Sequence, residues 1–276
     1  MTNANTRQIN EWNGAAGHSW TRHQARFDRM LKPFSDALLT AADIRPGEHI
    51  LEIGCGAGGL AMGMAGRGGE VVAVDVSQTL LDLARSRAPA VDFRLGDASH
   101  MAFTPDFDLL ISHLGVMFFD HPAAAFANLR KALKPDGRLV MLAWRSAAEN
   151  EVVTLCEAAL APDLVAPIRP PDAPGPFSFG DRDRVLGILA QAGFTDIAIA
   201  PFDATMLFGE GADEAAAIDD ALVMAQHIGP LRRWLDGVDE GTANAILERL
   251  RISFAGHITS RGVSLKGAAW ILTANL

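Results

Sequence analysis

The chain has 276 residues, 49% of them hydrophobic and 21% charged, an ordinary globular composition that excludes disorder as the main state. Lys and Arg number 24 against 33 Asp and Glu, a net charge of −9, so neither nucleic acid nor an anionic membrane surface is expected as a partner. No apolar run reaches the ~18 residues of a bilayer span, the first ten residues lack an apolar signal core, and two cysteines, Cys55 and Cys156, are too few for a disulfide scaffold, so a cytoplasmic protein is expected.

Residues 20–43 read as helix, with Phe27, Met30, Leu31, Phe34 and Leu38 on one face; Pro33 is expected to kink it or to start a second helix. Residues 49–54 form a short apolar strand running into a cluster of glycines. A short helix over 60–67, a strand over 70–76 and a helix over 79–88 follow, the last with Ser77 as its N-cap. Strands over 91–97, 107–112 and 138–144 enclose a helix over 122–133 and a Lys134-Pro135-Asp136-Gly137 turn. Continuous apolar strands alternating with helices predict an α/β fold with a parallel sheet covered on both faces.

Beyond residue 150 the pattern loosens. Helices are expected over 152–160 and 183–194, strands over 195–202 and 268–276, and two or three helices within 211–257. Residues 162–176 carry six of the 14 prolines and read as an extended loop. The expected architecture is one Rossmann-like, doubly wound, mostly parallel sheet of seven strands. Residues 46–204 and 266–276 form this core, residues 1–45 an N-terminal helical lid, and residues 205–265 a substrate-facing helical cap. Both additions are expected over the carboxyl ends of the strands, where ligands bind in such sheets.

The sharpest local signal is Leu51-Glu52-Ile53-Gly54-Cys55-Gly56-Ala57-Gly58-Gly59. Glycines let the chain turn off the strand and let a ligand approach backbone, while the next helix offers free N–H groups. Asp75 ends the second strand, where a carboxylate accepts ribose hydroxyls. Asp97 ends the third, where a carboxylate receives an adenine amine. The three features together describe an adenosine-shaped site.

These motifs, with Val74-Asp75-Val76-Ser77, Leu95-Gly96-Asp97-Ala98 and Leu133-Lys134-Pro135-Asp136-Gly137, resemble in order and spacing those of class I S-adenosylmethionine-dependent methyltransferases. The resemblance covers about residues 46–145, and its core looks like that of the ubiquinone/menaquinone methyltransferases. It implies S-adenosylmethionine as cofactor and a small organic substrate methylated at O, N or C. Glu52 and the backbone of Gly54, Cys55 and Gly56 would then face the methionine part. Asp75 would hold the ribose, with Val76 beside the adenine; Asp97 and Ala98 would read the adenine edge, and Ser112 would offer backbone to the cofactor amine.

Two alternatives stand beside this reading: a nicotinamide-dependent oxidoreductase and a non-catalytic cofactor-binding protein on the same fold. The chain contains no tyrosine, which the short-chain oxidoreductases require. Methyl transfer from a sulfonium is an in-line displacement that needs positioning above all, and a base only for a protonated nucleophile. His113, just past the fourth strand, is the candidate base, titrating in the histidine range; otherwise it packs on the cofactor. Trp12, Trp20, His18 and Phe118 are candidate lid and substrate residues. The scattered histidines give no metal-ligand spacing, so no metal is expected, and a homodimer is compatible with the sequence.

Overall fold

The computed structural model describes residues 5–166, 170, 172–227 and 229–276; the proline-rich stretch 162–176 lies partly outside them. The core begins with β1 (His49–Ile53), β2 (Glu70–Asp75), β3 (Asp92–Leu95), β4 (Phe107–His113) and β5 (Leu133–Trp144). These pair in parallel, β3 on β2, β2 on β1, β1 on β4 and β4 on β5. A long antiparallel pair, β6 (Thr195–Gly209) and β8 (Gly262–Asn275), joins at β5, and the two-residue β7 (Ile258–Thr259) pairs with β8. The strand order is β3-β2-β1-β4-β5-β8-β6, in a sheet of eight described strands.

Chain direction across the sheet reverses between β1 and β4, which opens a crevice at their carboxyl ends. Successive residues serve opposite faces, as a strand's two-residue period requires. Ile50, Leu109 and Val140 join one buried cluster, and Leu51, Leu110 and Leu139 the other. Burial on both faces explains why these strands read as unbroken apolar runs.

The helix expected over 20–43 is divided at His23 rather than at Pro33. Helix α1 (Thr6–Asn13) and α2 (Ala15–Arg22) precede α3 (Gln24–Ala42), which carries Pro33 inside it. Proline costs a helix interior about 3 kcal/mol, but α3 buries Phe27, Met30, Leu31, Phe34, Leu38, Leu39 and Ala42, each large apolar side chain contributing about 1.5–3 kcal/mol. At the break, Trp20 stacks on Phe27 with centroids 3.7 Å apart.

The expected strands 195–202 and 268–276 are also longer in the structure, because β6 continues to Gly209 and β8 starts at Gly262. Met206, Phe208, Val263 and Leu265 bury the extension. From its end project α9 (Glu214–His227), α10 (Gly229–Trp234) and α11 (Glu240–Ala255). Met224 and Phe254 pack with Phe208 in the adjoining core, and Phe208 lies 5.7 Å from Phe254.

Candidate functional site

A cavity of about 390 Å³ lies at the carboxyl ends of β1, β2 and β4. One pole is built by the loop that follows β1. Gly54, Gly56 and Gly58 have φ of 70°, 53° and 76°, the left-handed region that side chains rarely adopt. Gly54 is there for packing: a Cβ on it would lie 2.8 Å from the Gly115 Cα. Gly56 is there for space, since a Cβ on it would meet nothing within 4 Å and the residue lines the cavity.

Asp75 fixes this loop. Its Oδ2 accepts from the Gly56 N–H at 2.8 Å and its Oδ1 from the Ser77 N–H at 2.8 Å. Burial raises its pKa, and those two backbone donors, with that of Val76, oppose the rise. Ser77 caps α5 (Gln78–Arg87) as expected, accepting from the Leu80 N–H, and its hydroxyl also donates to the Trp12 carbonyl at 2.7 Å.

Glu52 is 1% exposed, lines the cavity, and its Oε2 has no hydrogen-bond partner. Burial, and then the charge of Asp75, push its carboxyl well above the usual carboxylate range. A buried acid without a partner is costly to ionise. Cys55 is buried beside it, and burial followed by the Glu52 and Asp75 charges pushes its thiol up; both of the chain's cysteines are free.

Asp97, Val76 and Ala98 line the same cavity, but Asp97 is already engaged. Its oxygens accept from the Asn5 Nδ2 at 3.1 and 3.0 Å and from the Ser99 hydroxyl at 2.6 Å. Burial pushes this carboxyl up, and the bonds from Ser99 and Asn5, with His100, outweigh it and hold it below its ordinary value. The carboxylate expected to meet an adenine amine therefore meets the N-terminal segment. Asn13 makes a second tie there, its Nδ2 donating to the Val76 carbonyl at 2.8 Å.

Two expected site residues lie elsewhere. Ser112 is 1% exposed beneath the loop, its hydroxyl donating to the Ile53 carbonyl at 2.8 Å; it is not among the cavity-lining residues. His18 is exposed on α2, its Nδ1 2.8 Å from the Gly14 carbonyl, because the α2 face that turns inward is the one carrying Trp20. His113 does line the cavity, beside Leu114, which has φ of 65°. Its Nε2 is buried without a partner, and burial lowers its pKa to about 4. That value corrects the expectation of a base titrating in the histidine range: the ring is neutral and a weak base at physiological pH.

Trp12, Trp20, Phe27 and Phe118 line the cavity as a continuous aromatic run. Trp12 meets Trp20 edge-on at 5.8 Å and Phe118 at 5.4 Å, in the T-shaped geometry that rings favour. The opposite pole is apolar: Met30 and Leu31 from α3, Trp144 from β5, Val153 and Cys156 from α7 (Glu151–Leu160), and Met206 from β6. Sequence reasoning missed as site residues Asn5, just before α1, Asn13 at its end, and Gln24 and Asp28 on α3.

Residues 51–141 match the methyltransferase domain family. Residues 51–141 are thus a methyltransferase domain, and the chain as a whole is similar to S-adenosylmethionine-dependent methyltransferases. It is 27% identical over 248 residues to an uncharacterized protein of Mycobacterium tuberculosis, covering 86% of this chain and 84% of that one. It is 30% identical over 186 residues to nocamycin O-methyltransferase of Saccharothrix syringae, covering 61% and 66%. Its fold is similar to that of the YcgJ protein of Bacillus subtilis, with a TM-score of 0.57 at 15% identity over 87% of this chain and 97% of that one. Among the described residues of this methyltransferase, no helix is long and apolar enough to cross a membrane, and no group of three or more His, Cys, Asp or Glu is placed to hold a metal.

Proposed function

We infer that this methyltransferase acts on a small, largely apolar organic molecule, methylated at oxygen, nitrogen or carbon and held in the pole lined by α3, α7 and β6. The observation that carries the reading is the pairing, in one cavity, of an open cradle at Gly56 with the unpartnered buried carboxyl of Glu52. Both fit S-adenosylmethionine, which needs close backbone approach and carries positive charge.

The bound cofactor supplies an already activated methyl group. The chain's own residues do the rest. The Gly56 backbone and Asp75 take the sugar and its neighbours, Glu52 offsets positive charge, and Asp97 and Ala98 serve the adenine once Asn5 has moved aside. The aromatic run from Trp12 to Phe27 keeps water from the reacting centre, and the helices α1 to α3 and α9 to α11 enclose the substrate. His113, uncharged, positions rather than deprotonates, so the nucleophile reacts through its own lone pair or arrives already ionised. The two buried free cysteines suit a reducing cytoplasm.

Calorimetric titration of S-adenosylmethionine and of NADH into the same protein tests this reading. S-adenosylmethionine should bind and NADH should not; the reverse result would return the chain to the dinucleotide-dependent alternatives.

A further inference from the structure

Gln24 opens α3 and lines the cavity. Its Nε2 donates to the Asp28 Oδ1 at 2.7 Å. The other oxygen of Asp28 accepts from the Arg87 Nη2, and the Arg87 Nη1 donates to the Ala57 carbonyl at 2.8 Å, inside the glycine loop. Asp28 also lies against the start of α4 (Gly59–Ala65), since a Cβ on Gly59 would stand 3.1 Å from its Oδ1. A carboxylate paired to a guanidinium only accepts hydrogen bonds. The amide nitrogen of Gln24 must therefore face Asp28, and its oxygen must face away.

That oxygen is buried and has no partner. Buried carbonyls are nearly always satisfied, and an exception calls for an explanation. Gln24 and Glu52 line the same cavity, and Glu52 too has an oxygen, Oε2, without a partner. The amide oxygen is an acceptor, the carboxyl becomes one when a cation beside it favours its ionised form, and neither has found a donor among the described residues. A primary ammonium, which brings three N–H donors and a positive charge, satisfies two such groups at once.

We propose that Gln24 is a cofactor-binding residue whose side-chain carbonyl accepts a hydrogen bond from the primary ammonium at the amino-acid end of S-adenosylmethionine, with Asp28 and Arg87 fixing its orientation. The proposal rests on the cofactor assignment above and adds a recognition element contributed by the N-terminal helices, outside the glycine-loop motifs.

The test compares two probes on the wild type and on Gln24→Leu: S-adenosylhomocysteine, which has the amino-acid end, and 5′-methylthioadenosine, which lacks it. Calorimetry should show S-adenosylhomocysteine weakened by about tenfold or more in the variant, the scale of a hydrogen bond to a charged group. Binding of 5′-methylthioadenosine should stay within about twofold. The ratio of the two affinities guards against general damage, because a misfolded variant loses both probes together. Equal losses, or no loss, would overturn the role of Gln24. Failure of the wild-type protein to bind either probe would instead overturn the cofactor assignment on which the role depends.

Discussion

The two poles of the cavity are made by different means. The pole around β1, β2 and β3 takes most of its lining from between Glu52 and Ala98, where glycines set the backbone and Asp75 ties strand to loop through two 2.8 Å bonds. The opposite pole draws Met30, Leu31, Trp144, Cys156 and Met206 from elements far apart in the chain. It is held by contacts between the N-terminal helices and the cap. Arg232 pairs with Glu11 at 2.6 Å, Arg26 and Arg29 each reach Asp220 at 2.6 Å, and His23 stacks on His227 at 4.4 Å. The first pole is backbone geometry, which under the proposed function holds one cofactor shape. The second is side-chain volume, which under the proposed function lets the substrate change without disturbing the first.

The largest break in this contrast should come from Gly56→Val. Branched methyls would enter open space that the ligand needs and would also strain a backbone at φ of 53°. Affinity for S-adenosylhomocysteine should fall by about a thousandfold or more, roughly 4 kcal/mol. Leu31→Ala, at the other pole, should leave that affinity within about threefold, its cost falling on stability by about 2–5 kcal/mol. A similar loss of affinity in both variants would erase the distinction between the poles.

His113 sharpens the contrast through pH. Its imidazole titrates at about 4 when folded, against about 6.5 when unfolded. Above pH 6.5 the ring is neutral in both states and its contribution to stability is intact. As pH falls from 6.5 towards 4, the unfolded chain binds a proton that the folded chain refuses, and about 3 kcal/mol is lost. Glu52 and Asp75, whose pKa values burial raises, act in the opposite sense, so the wild type must be compared with His113→Gln rather than read alone. Urea unfolding at pH 7.5 and 4.5 should show a loss smaller in the variant by about 2–3 kcal/mol. The rate should be flat from pH 6 to 8, and His113→Ala should keep more than about a tenth of kcat. Equal pH slopes in the two unfolding experiments would mean that the ring is open to protons.

The same contrast explains what was legible in the sequence. The sheet and the glycine loop were, because a buried parallel strand writes an unbroken apolar run and a left-handed turn demands glycine where the turn occurs. Gly54, Gly56, Asp75 and the Ser77 cap all lie in such local patterns. The break at His23 was not legible, because ring stacking across the helix junction and burial of α3 decided it over Pro33. Nor was the length of β6 and β8, whose outer ends are strands only because Met206, Phe208, Val263 and Leu265 find a core beneath the cap. Gln24, Asn5 and Asn13 escaped because a lone polar residue in the N-terminal segment has no periodicity to mark its partner. The depressed pKa of His113 follows from burial, which position at a strand end does not reveal.

Asp75→Ala should weaken S-adenosylhomocysteine binding by about a hundredfold, on the scale of two charge-assisted hydrogen bonds. The structure adds a second cost, since the N–H groups of Gly56 and Ser77 both lose their acceptor, at about 1–3 kcal/mol for each one left buried and unpaired. Asp75→Asn keeps one oxygen to accept and should recover part of the stability but little of the affinity. Calorimetry paired with thermal melting separates the two. Full affinity in Asp75→Ala would reduce the residue to a loop anchor.

The smallest expected effect belongs to Asn5, where the N-terminal segment reaches into the cofactor pole. Its side chain holds both oxygens of Asp97 and the Ser99 hydroxyl, its Oδ1 accepts from the Asp120 N–H at 2.9 Å, and its own N–H reaches the Asp120 carboxylate at 2.5 Å. An adenine amine that uses Asp97 must take over acceptors that Asn5 now occupies, so these bonds compete with the ligand instead of helping it. Their net worth is small, roughly 0.5–1.5 kcal/mol for each neutral bond exchanged with water, and somewhat more where the acceptor is ionised. Asn5→Ala should therefore tighten binding of S-adenosylhomocysteine by several-fold, about 3–10 times, chiefly by speeding association, because the carboxylate no longer has to be released first. Stopped-flow binding under conditions that resolve both rates measures this directly. A several-fold weakening, carried by faster dissociation, would place Asn5 among the groups that close over the bound adenine and would make α1 part of the cofactor site rather than its competitor.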